Sequence, residues 1–226
     1  MEQVSDYIVA LTNLYGVVHK DKVIEIYNMQ NKEKLIKNLL DAFAEKFSTE
    51  LEKQYVYTIE DYFVLQDILL YPMEFERHLR LKKDKPYYIP KKKELMKYKD
   101  EYYTDAQKEY RKMFTFIKNN YFKEIPEKAE QICSEIIISS KCNVRLEQVF
   151  KIINENGIFI NNKRDFQKLS GVILNFIMNS RRCENNGFTQ NEMIEYYHKQ
   201  NKSPEETDMQ LNEVFDYSTD FPLVSY

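Results

Sequence analysis

Apolar residues at helical spacing, rarely interrupted by helix breakers, constrain the fold of this chain more than any other feature. Only four Gly and six Pro occur among 226 residues, too few for the many tight turns of an all-β protein. One apolar stripe runs from Val4 to Leu14 at helical intervals. A second stripe consists of Leu35, Ile36, Leu39, Leu40 and Phe43. We therefore predict a mainly α protein of the α+β class.

The period of the apolar residues changes from helical to two after Phe47. The runs YVY at residues 55–57 and YFVL at residues 62–65 flank a polar Glu60-Asp61 pair, which predicts a small β-hairpin. Three helices are predicted before it, the third beginning at Asn31. Helices followed by a hairpin are typical of a winged-helix-like unit, which we place at residues 1–70.

Prolines delimit the next segment, which we predict to be a basic extended connector at residues 71–90. Pro86 and Pro90 restrict both themselves and the residues before them to extended conformations. Helical patterns then resume and predict a helical bundle at residues 91–226, with an acidic C-terminal tail. Its most apolar helix is predicted at residues 165–182, where Gly171 is expected to permit close approach of a neighbouring helix.

The best-defined local signal in the bundle is the sequence NNGFTQNEM at residues 185–193. Gly187 suits a turn, Thr189 suits the N-cap of a helix, and Glu192 completes a capping box three residues later. These parts have a structural explanation. The alternative is a functional polar cluster, whose candidate residues are Arg181, Arg182, Asn185 and Asn186.

Charge is distributed unevenly along the chain, although the formal net charge is only -3. Residues 1–76 carry 7 basic and 14 acidic side chains, and residues 184–226 carry 2 basic and 9 acidic ones. Residues 77–99 reverse this balance, with 10 basic and 2 acidic side chains. This basic stretch is a candidate for contact with nucleic-acid phosphates, or it is a solvated surface beside a linker.

Two groups of residues are candidates for nucleic-acid contact. The first, on the third helix of the winged-helix-like unit, is Lys32, Lys34, Lys37 and Asn38. The second, in the basic stretch, is Lys82, Lys83, Lys85, Lys91, Lys92 and Lys93. Asp41 and Glu45 lie on the same predicted helix face as the first group, and an acidic unit repels phosphate as a whole. These charges favour protein docking by the winged-helix-like unit.

The motifs of common enzyme classes are missing from the sequence. His19, His78 and His198 have no metal-ligand spacing, and the chain has neither a glycine-rich phosphate loop nor a G-x-S-x-G elbow. Cys133, Cys142 and Cys183 fit neither a disulfide framework nor a zinc site, so we expect reduced thiols. We predict a non-enzymatic protein without catalytic residues, cofactor or metal.

The expected location is the cytoplasm, without membrane contact, because the sequence has no apolar run of about 18 residues and no signal peptide at its start. Our first hypothesis is a regulatory or adaptor-like protein that binds another protein. One alternative is a phage or mobile-element inhibitor of a host nucleic-acid machine, acting through acidic ends that imitate nucleic acid. Another is direct binding of DNA or RNA by residues 77–99.

Three sequence pieces together resemble uncharacterised Firmicutes proteins, some of which carry a C-terminal SEC-C zinc motif. The pieces are LTNLYGVV at residues 11–18, KPYYIP at residues 85–90 followed by KKKELMKY, and NNGFTQNEM at residues 185–193. This chain has no cysteine after Cys183, so the zinc motif and its metal are not implied here, and Gln190 stands where proline is expected. The resemblance implies this architecture and a bacterial or phage origin, without a known activity.

Overall fold

The computed structural model describes residues 2–142, 146–160 and 162–200, and most of them are helical. The acidic tail predicted at the end of the chain lies outside these residues. The described α-helices are α1 (Glu2–Tyr15), α2 (Lys20–Gln30), α3 (Lys37–Lys46), α4 (Ser48–Glu52), α5 (Gln66–Leu69), α6 (Glu74–Lys82), α7 (Lys92–Leu95), α8 (Gln107–Tyr121), α9 (Pro126–Lys141), α10 (Leu146–Glu155), α11 (Lys163–Asn179) and α12 (Gln190–Lys199). Two 3-10 helices, Met96–Lys99 and Cys183–Asn185, complete the helical elements of these residues.

The described residues before α5 contain a small antiparallel sheet of three strands. Its strands are β1 (Val17–His19), β2 (Val56–Ile59) and β3 (Tyr62–Leu65), in the spatial order β1-β3-β2. Ile59 pairs with Tyr62 across the turn formed by Glu60 and Asp61, and Val17 pairs with Val64. The predicted hairpin is therefore confirmed, and the sheet gains β1 as a third strand.

The N-terminal core surrounds α1, whose side chains are buried on nearly every face. Tyr7, Leu11 and Tyr15 belong to one apolar cluster, which also contains Leu95 and Tyr98 from the basic stretch. The Asn13 side chain donates a hydrogen bond of 2.9 Å to the Tyr98 carbonyl. The region after residue 90 thus contributes to the N-terminal core as well as to the helices that follow.

The second core is formed by four helices that contact one another. α8 packs against α9 and α11, and α9 packs against α10. Their buried apolar side chains form one cluster, which includes Met113, Ile117, Ile132, Ile136, Val149, Ile153, Leu169, Ile173, Phe176 and Ile177. The mainly helical character predicted from the sequence is confirmed by these elements.

Three local predictions are wrong. The segment expected to be extended at residues 71–90 contains α6, because the stretch from Glu74 to Lys82 lies between Pro72 and Pro86 and has no helix breaker of its own. The third helix begins at Lys37 and not at Asn31, since the Asn28 side chain holds the Leu35 backbone in a non-helical turn. A Cβ atom at Gly171 would meet no atom of a neighbouring described element within 4 Å, so the described residues bring no helix close to that position.

The expectation of three reduced thiols is also wrong, because Cys142 and Cys183 form a disulfide across 41 positions of sequence. Spacing along the chain gave no indication of this pair. The end of α9 and the start of the Cys183–Asn185 helix meet only in the tertiary structure. Cys133 is a buried free thiol, and its burial raises the pKa of that thiol to about 12.

Among the described residues, no helix combines the length and the apolar character needed to cross a lipid bilayer.

The capping box at the start of α12 is confirmed, and it provides a test of local stability. The Glu192 backbone N–H donates to the Thr189 hydroxyl at 3.1 Å, and the Glu192 carboxylate accepts from the Thr189 backbone N–H at 2.9 Å. We expect Thr189→Ala to lower the free energy of unfolding by about 1 kcal/mol, measured by urea denaturation. Thr115→Ala, in the exposed interior of α8, is the matched control and should be nearly neutral. Equal losses in both variants would contradict the capping assignment.

Candidate functional site

Arg181 lies at the centre of the polar cluster predicted from the sequence. Its Nε donates to the Asp105 carboxylate at 2.8 Å, and its Nη1 donates to the Glu192 carboxylate. The guanidinium stands 3.6 Å from the centre of the Tyr88 ring, a cation–π contact. The nearby carboxylates, with Asp105 foremost, outweigh desolvation and raise the pKa of Arg181. Arg181 therefore joins the segment before α8, the helix α12 and the segment before α7.

Arg182 and Glu184 form an ion pair whose two side chains are entirely buried, with a separation of 3.3 Å. Arg182 also donates to the Ser140 carbonyl near the end of α9. Burial lowers the pKa of Arg182, and the Glu184 carboxylate opposes that shift. Because a buried charge without a partner is very costly, these contacts fix the position of the Cys183–Asn185 helix.

Asn185 and Asn186 connect this helix to the segment that follows α6. Lys85 donates at 2.9 Å to both the Glu184 carbonyl and the Asn185 side-chain oxygen. The Asn186 amide donates to the carbonyls of Lys82 at 3.2 Å and Lys85 at 3.0 Å. Hydrogen bonds thus join positions about 100 residues apart in the sequence.

The turn at Gly187 requires a residue without a side chain. Its φ is +83°, and a Cβ atom there would lie 2.9 Å from the Tyr15 ring. The turn therefore brings the backbone directly against the end of α1. We call Arg181, Arg182, Glu184, Asn185 and Asn186, together with Lys82 and Lys85, the polar junction. All four predicted cluster residues belong to it, and their polar groups contact other parts of this chain.

The basic stretch separates into buried and exposed lysines. Lys82 is buried and donates to the carbonyls of Tyr15, at 2.6 Å, and Val17. Burial lowers the pKa of Lys82 to about 7, with Glu184 opposing and Lys85 adding to the shift. Lys82 and Lys85 thus hold the polar junction together, while Lys83, Lys91, Lys92 and Lys93 are exposed.

Exposed lysines from the two candidate groups approach one another. Lys92 donates to the Asn31 side chain at 2.5 Å, and the Gln30 amide donates to the Pro90 carbonyl at 2.8 Å. These bonds place the loop that carries Lys32 and Lys34 beside the segment that carries Lys91–Lys93. We call these five lysines the lysine surface.

Two candidates on α3 lie outside the lysine surface. Lys37 forms an ion pair of 3.1 Å with Asp61 in the β2–β3 turn, and Asn38 is exposed in the first turn of α3. The Lys37 amine thus joins the N-terminus of α3 to the hairpin.

A third feature, an exposed apolar surface, was not found from the sequence. Leu70 is 60% exposed and Met73 is 73% exposed, and Leu69, Tyr71, Tyr55 and Tyr102 are also exposed. The Tyr55 carbonyl accepts a hydrogen bond of 2.9 Å from the first residue of α5. We call these six residues the apolar patch. The run LLYPM at residues 69–73 could have indicated this surface from the sequence, because its apolar residues do not continue the spacing of a buried helix face.

Acidic groups surround part of the apolar patch. Glu101 is the largest cause of the raised pKa of Tyr102, and Tyr55 contributes to the same shift, which shows that these groups are close. Burial lowers the pKa of the Lys141 amine to about 8, and Glu101, Asp100 and Asp67 oppose this shift, so these three carboxylates lie near that amine. The surface is therefore apolar with a negative edge.

The described residues contain no group of three His, Cys, Asp or Glu side chains arranged to hold a metal ion. A cavity of about 20 Å³ lies beside Tyr98, Asp105 and Arg181, which is the space of about one water molecule. A depression of about 600 Å³ on the surface between α8 and α12 is lined by Glu109, Glu192 and Glu195.

His78 predicts a pH dependence of stability, because its ring is completely buried beside the polar junction. Desolvation lowers its pKa from 6.5 to about 4, and Lys82, Arg77 and Arg182 add to this shift while Glu184 opposes it. The unfolded chain thus binds a proton at mildly acidic pH that the folded protein excludes. The contribution of neutral His78 to the free energy of unfolding should be fully present above pH 6.5. It should fall by about 3 kcal/mol as the pH drops toward 4.

The measurement is urea denaturation of the wild type and of His78→Leu at several pH values between 4 and 7. The variant should lack this part of the pH dependence, whatever its stability at pH 7. His198→Gln, at an exposed position of α12, should keep it. If His78→Leu follows the wild-type pH profile, His78 is not the group responsible.

Comparisons of this chain with protein-family models, with curated proteins and with solved structures each find no match. The resemblance to uncharacterised Firmicutes proteins therefore stays a prediction from sequence.

Proposed function

We propose that this protein is a non-enzymatic regulatory protein that binds another protein through the apolar patch. The observation that carries this proposal is the exposure of Leu70, Tyr71 and Met73 at one place on the surface. Large exposed apolar side chains that lie together are typical of protein interaction surfaces. Tyr and Met are also enriched in such interfaces.

The partner we propose is a protein whose own surface is apolar with a basic edge. Asp67, Asp100 and Glu101 lie beside the apolar patch, and residues 1–76 carry twice as many acidic as basic side chains. Complementary charge at the edge of an interface favours one class of partner and speeds association. An acidic protein that captures a basic partner also agrees with the alternative of a phage or mobile-element inhibitor.

We further propose that residues 1–70 form a winged-helix-like unit used for protein docking. The order α1, β1, α2, α3, α4, β2 and β3 supports this interpretation. Ile36 and Leu39 are exposed at the start of α3, where a DNA-binding helix would present polar side chains to the groove. Lys37 forms an ion pair with Asp61, which further supports docking to a protein.

The experiment for the patch is affinity capture with the tagged full chain in its source cells, followed by nuclease treatment and mass spectrometry. Wild-type protein should retain one basic protein in near-stoichiometric amount, and Leu70→Ser with Met73→Ser should weaken its binding by tenfold or more, as expected for loss of two buried apolar contacts. Ile125→Ser is the matched control, because Ile125 is 58% exposed but lies outside the patch. Capture that is unaffected by the patch variant, or equally affected by the control, would refute the proposal.

A second candidate function is sequence-independent binding of nucleic acid by the lysine surface. The Lys92–Asn31 hydrogen bond favours it, because it unites two groups of lysines that are about 60 positions apart in sequence. Lys91, Lys92 and Lys93 are exposed on this surface. Lysines that replace counterions along a phosphate backbone give affinity that falls steeply with salt.

Fluorescence polarisation with labelled single-stranded and duplex oligonucleotides measures this activity. For about five phosphate contacts we expect affinity to fall on the order of 100- to 1000-fold between 50 and 200 mM salt. Binding should vanish when Lys91, Lys92 and Lys93 are replaced by Glu. The control variant Lys151→Glu with Lys168→Glu changes exposed lysines on α10 and α11 and should retain binding. Affinity that is independent of salt, or lost equally in both variants, would exclude this function.

A further inference from the structure

The disulfide between Cys142 and Cys183 lies where three parts of the chain meet. Cys142 follows α9, and Cys183 begins the short helix of the polar junction. A Cβ atom at Gly16 would lie 2.9 Å from both sulfurs and 2.9 Å from Cδ1 of Ile68. The bridge is therefore packed against the end of α1 and against α5.

Ile68 links the bridge to the apolar patch. It is buried in a small cluster with Val17 and Val64, and Cys142 packs against that cluster. The next residues after Ile68 are Leu69 and Leu70, which are exposed members of the patch. The buried side of α5 thus rests on the bridge while its exposed side forms the patch.

The same region has noncovalent connections that do not involve the disulfide bond. Arg182 donates to the Ser140 carbonyl and pairs with Glu184, on either side of Cys183 in the sequence. These contacts keep the two sulfurs near each other when the bond is open, which favours its re-formation. Cys142 is half-buried while Cys183 is buried, so Cys142 is the more exposed residue of the two.

We propose that Cys142 and Cys183 are a reversible redox switch that controls the order of residues 66–73, the segment that carries most of the apolar patch. In reduction, the thiolate of a small thiol attacks the Cys142 sulfur, the S–S bond breaks, and Cys183 leaves as a thiolate that takes up a proton. A second molecule of the thiol then attacks the mixed disulfide and releases Cys142 as a thiol. Two small thiols become one small disulfide, and the reverse exchange oxidises the protein.

The first measurement determines the state of the thiols in the full-length protein. Samples are equilibrated with oxidised or reduced glutathione, acid-quenched, denatured and alkylated, and the masses are compared. The oxidised sample should gain one alkyl group, at Cys133, and the reduced sample should gain three. Three alkylated cysteines under both conditions would overturn the proposal, as would a bridge that reduced glutathione leaves intact in the folded protein.

The second measurement is amide hydrogen exchange of residues 66–73 in the oxidised and the reduced protein. Exchange should be faster after reduction by on the order of tenfold or more, because opening the cross-link lowers the free energy of local unfolding. Peptides from α8, whose buried residues Met113 and Ile117 belong to the second core, serve as the internal reference and should change much less. Equal exchange of residues 66–73 in both states would overturn the proposal.

Variants separate the bridge from a general effect of reductant. Cys142→Ser with Cys183→Ser should exchange like the reduced wild type in either buffer, and Cys133→Ser should keep the full redox response. If the double variant fails to fold, the comparison of oxidised and reduced wild type decides the question. The partner of the apolar patch takes no part in these measurements, so their outcome is separate from that of the capture experiment.

Discussion

The buried ion pair between Arg182 and Glu184 is the interaction on which the rest of the structure depends. Both side chains are fully excluded from solvent, and a charged group is stable there only with close partners. The pair therefore restricts the Cys183–Asn185 helix to one position. Arg182 reaches the end of α9, and neighbouring residues reach the segment after α6. The two cores of the molecule are joined by these contacts.

The polar junction also explains why a strongly basic stretch of sequence is not simply a basic surface. Lys82 and Lys85 donate to backbone carbonyls and to Asn185 inside the protein. Their role is to connect distant segments, and the burial of Lys82 lowers its pKa to about 7. The other lysines of the stretch, among them Lys83 and Lys91 to Lys93, are exposed. Net charge along a sequence therefore overstates the charge that a partner would meet.

The exposed apolar side chains of the apolar patch are the unusual feature of the described surface. Burial of Leu69, Leu70, Tyr71 and Met73 within this chain would require a neighbouring element that the described residues do not provide, since all four are exposed. The apolar patch and the lysine surface lie in different segments, which allows each to be altered separately. The disulfide packs beside Ile68, next to the patch. Under the proposed switch, its reduction therefore changes the order of a surface to which neither cysteine belongs.

The sequence by itself determined the features that depend on neighbouring residues. The helix predicted from the stripe between Val4 and Leu14, the hairpin at residues 56–65 and the capping box of Thr189 and Glu192 follow from apolar periodicity and from hydrogen bonds across three or four positions. The stripe at residues 35–43 is only partly buried, since Ile36 and Leu39 are exposed. Even here, the start of α3 and the helical part of residues 71–90 were mispredicted, because side-chain contacts and propensity compete closely at element ends.

Only the tertiary structure decided which distant groups meet. The Cys142–Cys183 bond and the Lys92–Asn31 hydrogen bond each join residues that are 41 or more positions apart in the sequence. The apolar patch is defined by the exposure of its side chains, which depends on what packs over them. No spacing rule reports such contacts, since they arise from the packing of whole helices. Charge, periodicity and capping act locally, whereas burial and pairing are properties of the assembled fold.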